Sequence, residues 1–299
     1  MVTSSMTMDD FESVRRIWQD LGLPGIVDVH THFMPKNVMD KVWQYFDSAG
    51  PLTGRQWPIR YRAAEEDRVH TLRRFGVHAF TSLIYAHKPQ MAEWLNSWAA
   101  QFATLTPDCV HTATFYPEPD ARDYVQAAIV SGARVFKAHV QVGAYDPNDP
   151  LLDGVWGTLT DHDRPVVIHC GSGPAPGAFT GPDRIRTLLR RHPRLKLVIA
   201  HMGMPEYAEF LDICDDYPQV CLDTTMAFTR FAEEMSPFPT DHLHRLRDLG
   251  DRILFGSDFP NIPYSYAEAM QAIVDLEVAD DNWLANVFYG NGARLFGLT

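Results

Sequence analysis

The sequence predicts an α/β protein, a distorted (β/α)8 (TIM) barrel with an N-terminal helix and a C-terminal helical extension. Eight short apolar segments alternate with helical stretches along the 299 residues, which is typical of repeated βα units. Many segments are continuous apolar runs, such as Val166-Val167-Ile168, as expected for parallel strands buried on both faces. No Gly-x-Gly-x-x-Gly follows the first strand, which disfavours a doubly wound sheet, the alternative fold. We expect one domain over residues 1–299, since barrels of this size fold as single domains.

Local sequence patterns predict each helix and strand. Phe11, Val14 and Trp18 recur at helical spacing until Gly22 and Pro24 interrupt them, which predicts the first helix. Strands are predicted where short apolar runs rich in β-branched residues lie between turn signals. These strands cover residues 26–32, 77–86, 110–116, 134–140, 165–170, 195–201, 219–225 and 252–257. Helices are predicted at 9–21, 36–46, 63–75, 91–102, 121–131, 151–159, 183–191, from 205 onward, 265–276 and 281–296, and a loop or lid at 50–54.

Composition limits the function classes. With 26 basic and 38 acidic residues the formal charge is −12, which argues against nucleic acid and anionic membranes as partners. The four cysteines show no Cys-x-x-Cys spacing, so reduced thiols are expected. Asp9, Asp10 and Glu12 lie where a signal peptide would be basic or apolar, and no apolar run is long enough to span a membrane. We therefore expect a cytoplasmic protein whose partners are neither nucleic acids nor membranes.

The first strand ends in two histidines. Alternate side chains of a strand point to one face, so His30 and His32 should project together, with Asp28 one step behind them. Neutral imidazole nitrogens are ligands that zinc and neighbouring transition metals prefer. Taken alone, the pair is equally explained by two histidines near a surface turn.

Other predicted strands end in polar residues as well. In a TIM barrel, chemistry lies at the carboxyl ends of the strands. Any one histidine there is more often a satisfied core or surface residue, but agreement across several strand ends predicts a shared site. The residues at these further ends are Lys137 and His139 on strand four, His169 on strand five, His201 on strand six and Asp258 on strand eight.

These motifs resemble the amidohydrolase superfamily, in particular the metal-dependent branch that includes aminocarboxymuconate-semialdehyde decarboxylase. The resemblance rests on Asp28-Val29-His30-Thr31-His32-Phe33-Met34-Pro35, on two histidine-containing strand ends followed by glycine, and on Gly256-Ser257-Asp258-Phe259-Pro260. It implies that His30, His32, His169 and Asp258 ligate a divalent ion, most often one zinc per chain, with Mn²⁺ or a second metal as alternatives. It also implies a homodimer, and it places His201 beside the metal-bound water or the substrate.

The chemistry of these residues agrees with catalysis. Asp258 can contact a metal and accept a proton from water, while His201 can orient that water or stabilise developing charge. Lys137 leaves three interpretations open: a carbamylated bridge between two metals, a cation that binds or polarises the substrate, or a structural ion-pair partner. We favour substrate contact. His139 shares the strand face of Lys137 and either assists substrate binding or lines the mouth of the site.

Three functions follow as hypotheses. The first is hydrolysis, in which metal-activated water attacks the carbonyl of a small amide, ester or lactone. The second is a carbon–carbon lyase, a non-oxidative decarboxylase of a small unsaturated or aromatic carboxylic acid, for which Lys137 or Arg230 would hold the carboxylate. The third is a barrel without catalysis that acts as a binding protein, which the complete set of ligand-type residues disfavours.

Overall fold

The computed structural model of the protein describes residues 8–278 and 280–298. These residues form two compact units. Unit 1 comprises the described residues of Met1–His32, Lys36–Phe80 and Thr224–Thr299, and unit 2 comprises Phe33–Pro35 and Thr81–Asp223. The single domain over residues 1–299 stays a prediction.

Short strands alternate with helices along the described chain, as the sequence predicts. The strands are β1 (Ile26–Asp28), β2 (Val77–Thr81), β3 (Cys109–Val110), β4 (Thr112–Thr114), β5 (Val135–His139), β6 (Val166–His169), β7 (Leu197–Ile199), β8 (Cys221–Asp223) and β9 (Ile253–Leu254). The α-helices are α1 (Met8–Asp20), α2 (Lys36–Asp47), α3 (Gly50–Thr53), α4 (Glu65–Phe75), α5 (Ala92–Leu105), α6 (Ala121–Val130), α7 (Val140–Gly143), α8 (Asp153–Asp161), α9 (Pro182–Arg191), α10 (Tyr207–Asp216), α11 (Arg230–Glu233), α12 (Leu243–Asp248), α13 (Tyr266–Val274), α14 (Asp281–Ala285) and α15 (Asn291–Phe296). Single turns of 3₁₀-helix cover Pro150–Leu152, Ala200–Gly203 and Thr240–His242, and a π-helical turn covers Asn286–Gly290.

In unit 1, strands β1 and β2 pair in parallel, with Asp28 opposite Phe80. The start of β1 requires a glycine. Gly25 has φ +151°, and a Cβ there would lie 2.5 Å from the carbonyl oxygen of Gly76. That close approach lets Ile26 N–H bond the same oxygen at 3.1 Å, which fixes where β1 begins. Helix α1 packs against α4 and α13 through its apolar face.

In unit 2, strands β4 to β8 form a parallel sheet in sequential order. All four residues of β6 are buried, which is the pattern expected for a strand covered on both faces. In the register between β5 and β6, His139 lies opposite His169. The strand pairing of this sheet therefore brings two of the predicted site residues together.

Some boundaries differ from those predicted. The single strand predicted at 110–116 is two strands, β3 and β4, separated at His111. The Thr112 hydroxyl donates to the carbonyl of Val110 at 3.1 Å and accepts from Ser82 N–H, and such side-chain bonds compete with the strand ladder. The loop predicted at 50–54 contains the one-turn helix α3, which has a proline in its first turn and ends at the left-handed Gly54.

The predicted C-terminal helix also differs, because a π-helical turn interrupts it between α14 and α15. Elsewhere the observed strands are shorter than predicted and lie inside the predicted ranges. Over the residues that the structure describes, the helices lack the length and apolar character needed to cross a bilayer.

Candidate metal centre

Unit 1 brings together three of the four predicted metal ligands. His30, His32 and Asp258 are all buried, and their ligand atoms lie within 4.8 Å of one another. The Oδ1 atom of Asp258 is 3.0 Å from Nε2 of His32 and 3.7 Å from Nε2 of His30. The two imidazole rings meet edge to face, with centroids 5.1 Å apart.

Backbone hydrogen bonds between the His30–His32 segment and the Asp258–Phe259 segment hold the ligands in this geometry. The predicted strand one is shorter than expected, so both histidines follow β1 rather than lying within it. Asp258 N–H donates to the carbonyl of His30 at 2.8 Å, and His32 N–H donates to the carbonyl of Phe259 at 2.7 Å. Asp258 itself adopts a left-handed conformation with φ +67°, which aspartate tolerates better than most residues. This turn directs its carboxylate toward the two histidines.

A buried carboxylate lies behind the ligands. Asp28 Oδ1 accepts hydrogen bonds from the N–H groups of His30 and Ser257, at 3.1 Å each. Its Oδ2 accepts from the hydroxyls of Ser257 at 2.6 Å and Tyr266 at 2.8 Å. Burial raises the pKa of Asp28 to about 7, and the hydrogen bonds from Ser257, Tyr266 and His30 oppose that rise.

The donor set of this cluster fits a divalent transition metal. Two imidazole nitrogens and one carboxylate oxygen are the ligand types that Zn²⁺ takes. In a tetrahedral site with bonds of roughly 2.0–2.1 Å, ligand atoms are about 3.3 Å apart. The observed separations of 3.0 and 3.7 Å lie on either side of that value. Residues His30, His32 and Asp258 could therefore hold such an ion, with coordination positions left for further ligands.

Unit 2 brings together the other predicted histidines. The rings of His139 and His169 stack with centroids 4.2 Å apart and planes 12° from parallel. The rings of His169 and His201 meet edge to face, with centroids 4.8 Å apart. The ring of Tyr85 lies against that of His139, with centroids 5.0 Å apart. The strand register of β5 and β6 explains the stacked pair, because their residues are directly opposite.

Backbone contacts define which ring nitrogens of the stack carry protons. Nε2 of His169 is 3.0 Å from the carbonyl oxygen of Gly173, a contact that requires Nε2 to donate. A neutral His169 then carries its lone pair on Nδ1, the arrangement of a metal-ligating histidine oriented by a backbone carbonyl. Nδ1 of His139 accepts from Val142 N–H at 3.3 Å, so a neutral His139 presents Nε2–H as a donor.

His201 lies outside the strand in which it was predicted. It follows β7 in the 3₁₀ turn Ala200–Gly203, where His201 and Met202 both have φ +56°. The buried carboxylate of Asp223 accepts the backbone N–H of His201 at 2.9 Å. The site histidine is therefore held by a turn and a carboxylate rather than by strand pairing.

Lys137 and Arg230, the two candidate cations, differ in environment. Lys137 is 1% exposed, and its carbonyl accepts from the Thr114 hydroxyl. Burial raises the pKa of the neighbouring Cys170, the charges of Glu206 and Asp223 add to the rise, and the charge of Lys137 opposes it. The side chain of Arg230 is 87% exposed and forms an ion pair with Glu234 at 2.9 Å. Lys137 is therefore the better placed of the two to act on a buried substrate group.

Sequence reasoning missed several residues around the ligands. Asp223 ends β8 as the predicted site residues end their strands, so the same signal could have found it. Ser257 and Tyr266 contact Asp28 across more than 200 residues, and no local pattern predicts that contact. Arg68 is buried, and its Nη1 atom lies 3.4 Å from the carbonyl oxygen of His32, although it belongs to a helix rich in charged residues.

Comparisons with known proteins agree with this architecture. A family model described as Amidohydrolase matches residues 27–298. No curated protein matches the sequence. Among solved structures, an uncharacterised TIM-barrel protein from Bordetella bronchiseptica superimposes with a TM-score of 0.74 at 18% identity, covering 91% of this chain and 98% of that one. The likeness shows that the chain has the TIM-barrel type of α/β fold, as the sequence predicts.

Two further similar structures carry names of different reactions. A probable 2-pyrone-4,6-dicarboxylic acid hydrolase from Acinetobacter baumannii, with citric acid bound, has a TM-score of 0.61 at 15% identity, covering 91% of this chain and 99% of that one. A 5-carboxyvanillate decarboxylase from Novosphingobium aromaticivorans, complexed with manganese and 4-hydroxy-3-methoxy-5-nitrobenzoic acid, has a TM-score of 0.61 at 13% identity, covering 91% and 96%. Hydrolytic and decarboxylating proteins thus share this fold.

Proposed function

The chain belongs to the amidohydrolase family, and from this premise we propose that it is a metal-dependent hydrolase of a small amide, ester or lactone. The observation that carries the proposal is the buried cluster of His30, His32 and Asp258, whose ligand atoms lie within 4.8 Å of one another. We further propose that His169 completes the ligand set through Nδ1, and that one Zn²⁺ binds per chain.

The metal would supply Lewis acidity, which lowers the pKa of a coordinated water from about 15.7 to about 7. The remaining roles fall to the protein. The carboxylate of Asp258 would help to hold the metal and would accept a proton from the attacking water. The imidazole of His201, fixed by its backbone bond to Asp223, orients that water or donates to the developing oxyanion.

Substrate binding is assigned to Lys137 and His139. The Lys137 ammonium would bind or polarise a carbonyl or carboxylate oxygen of the substrate, where a buried cation acts more strongly than in water. His139 would donate a hydrogen bond from Nε2, the nitrogen left as the donor by the contact of its Nδ1 with Val142.

The alternative function is non-oxidative decarboxylation of a small unsaturated or aromatic carboxylic acid. The burial of Lys137 favours it, because a buried ammonium can hold a substrate carboxylate. The structural likeness to a 5-carboxyvanillate decarboxylase shows only that the fold also occurs in a decarboxylase. Both functions require the same ligand residues, so the products must decide between them.

Metal content followed by a product screen tests the proposal. Protein purified without added metal is first analysed for elements per chain. About one zinc supports the mononuclear site, about two makes Lys137 a carbamylated bridge, and none contradicts the proposed chemistry. The metal-loaded protein is then offered lactones, esters, amides and aromatic carboxylic acids. A new carboxylate product without CO₂ indicates hydrolysis, detected as proton release for esters and lactones and as free amine for amides. CO₂ release indicates decarboxylation, and His30→Ala is the inactive control.

The assembly and the compartment are also proposals. We propose a homodimer, which light scattering of the purified protein would test, and a cytoplasmic location. Cys109 and Cys170 are buried free thiols, which agrees with a reducing compartment. Localisation of a tagged full-length chain in the source cells would test the second point.

A further inference from the structure

We propose that Asp28 is a positioning residue that holds the His30–His32 segment and the Asp258 segment at the spacing a divalent cation requires. The inference rests on the proposed function, since it assumes that these residues bind a metal. It adds a residue that lies behind the ligands and contacts the metal only through them.

The carboxylate of Asp28 has no acceptor capacity left. A carboxylate offers about four lone-pair sites, and Asp28 receives four hydrogen bonds. Two come from backbone N–H groups of His30 and Ser257, and two from the hydroxyls of Ser257 and Tyr266. The side chain is fully buried, so water does not compete for these bonds. These bonds hold the carboxylate in one orientation, in which its oxygens accept hydrogen bonds from neighbouring segments and are not available as metal ligands.

The bonds of Asp28 connect the two ligand-bearing segments directly. One oxygen holds His30, itself a candidate ligand, and Ser257, the residue before Asp258, although they are 227 residues apart in sequence (257 − 30). The Ser257 hydroxyl also accepts from Phe259 N–H at 3.0 Å, so the residues on both sides of Asp258 are tied to the same point. A change at Asp28 would therefore alter the distance between the histidine and carboxylate donors.

The ligand cluster needs such support before a cation binds. Three electron-rich atoms that lie within 4.8 Å of one another, two of them 3.0 Å apart, repel one another when neither a cation nor a shared proton lies between them. Hydrogen bonds from Asp28 to both segments oppose their separation and so preorganise the site. Groups that orient metal ligands typically change metal affinity 10- to 100-fold when they are removed.

A purely structural role makes a different prediction. If Asp28 only stabilised the fold, its replacement would lower the free energy of unfolding of the apoprotein but leave the metal affinity of the folded molecules unchanged. A positioning role requires weaker binding and an altered ligand geometry in protein that is still folded. The two roles therefore separate once metal affinity and apoprotein stability are measured on the same variants.

The test uses full-length apoprotein and Zn²⁺ alone. The variants are Asp28→Asn, which keeps the size of the side chain but removes its charge, and Tyr266→Phe, which removes one donor to Oδ2. Tyr61→Phe is the matched control, because Tyr61 is also a buried tyrosine and its hydroxyl accepts from Tyr266 N–H, a bond that does not involve Asp28. Zn²⁺ affinity is measured by competition with a chromophoric chelator, ligand geometry by the visible spectrum of Co²⁺-loaded protein, and folding by urea unfolding.

We expect Asp28→Asn to weaken Zn²⁺ binding about 10- to 100-fold and to change the Co²⁺ spectrum. Tyr266→Phe should weaken binding by a smaller factor, and Tyr61→Phe should leave it unchanged. If Asp28→Asn does not fold, Tyr266→Phe against Tyr61→Phe decides the question.

Wild-type affinity in folded Asp28→Asn, or in Tyr266→Phe when it alone folds, would overturn the positioning role while leaving the proposed metal centre intact. A wild-type protein that binds no divalent cation would overturn the proposed function, and the positioning role with it. The two failures are thus distinguished by the wild-type titration.

Discussion

The carboxylate of Asp223 accepts a hydrogen bond from the backbone N–H of His201, with 2.9 Å between Oδ1 and N. The bond supports an unusual turn, since His201 and Met202 are consecutive non-glycine residues in the left-handed region. Each such residue costs about 1–2 kcal/mol relative to the right-handed conformation. Strain of this kind persists where surrounding contacts determine the conformation, and it is concentrated at functional sites.

Replacing Asp223 should therefore destabilise the protein. We expect Asp223→Ala to lower the free energy of unfolding by about 1–3 kcal/mol, because a buried N–H loses its acceptor in a strained turn. Asp223→Asn keeps an acceptor oxygen and should cost less. Urea unfolding measures both, and Asp216→Ala is the control, since Asp216 is an exposed partner of Arg186. Equal stability of Asp223→Ala and the wild type would show that the turn does not depend on this bond.

Loss of a cluster ligand should abolish metal retention. His30→Ala and Asp258→Ala each remove one of three buried donor atoms within 4.8 Å of one another, so both variants should purify without bound metal and without turnover. His162→Ala is the control, because this histidine is exposed and contacts only Gln126 among the hydrogen bonds described for it. Elemental analysis and circular dichroism measure metal content and folding. Full metal content in both ligand variants would contradict the assignment of the cluster.

Lys137→Met tests the interpretations of the buried lysine. The substitution keeps most of the apolar volume and removes the charge. If the ammonium contacts substrate, turnover should fall by at least about 10-fold while the metal per chain stays unchanged, because an electrostatic contact to the reacting group is lost. The measurement is the metal content together with kcat and KM on a substrate from the product screen. A variant that loses half of a two-metal complement would instead identify Lys137 as a carbamylated bridge.

The sequence predicts the parts of the molecule that local patterns encode. Alternation of short apolar runs with helical stretches predicts the α/β barrel class, and a polar residue at a strand end predicts where His30, His139 and His169 lie. The break at His111 is not predictable in this way, because it depends on the Thr112 hydroxyl, which donates to the carbonyl of Val110 and accepts from Ser82 N–H. Side-chain hydrogen bonds of that kind leave no periodic signal.

Contacts between distant segments are the other limit. The Asp28 carboxylate looked like one more polar residue on the ligand face, yet it bonds Ser257, which lies 229 residues further along the chain. Hydrophobic periodicity states which face of a segment is buried but not which other segment covers it. The left-handed turn at His201 is not predictable from the sequence either, because the two left-handed residues of the turn, His201 and Met202, are not glycines.

Burial of His111 should make the free energy of unfolding depend on pH. Burial lowers the pKa of this histidine below the ordinary value of 6.5, and a contact with the backbone of Gly132 only partly opposes the effect. Its Nε2 atom is buried and has no hydrogen-bond partner among the described residues, so the folded chain offers no acceptor for a second ring proton.

Protonation of His111 should lower the stability of the folded chain at acidic pH. As the pH falls through 6.5, the unfolded chain takes up a proton at His111 before the folded chain does, so the free energy of unfolding decreases. The decrease ends below the lowered pKa of the folded state. We expect the wild type to lose more stability between neutral and acidic pH than His111→Gln, which cannot titrate at this position. Urea unfolding at a series of pH values measures the difference, and parallel curves for wild type and His111→Gln would show that burial of His111 does not shift its protonation.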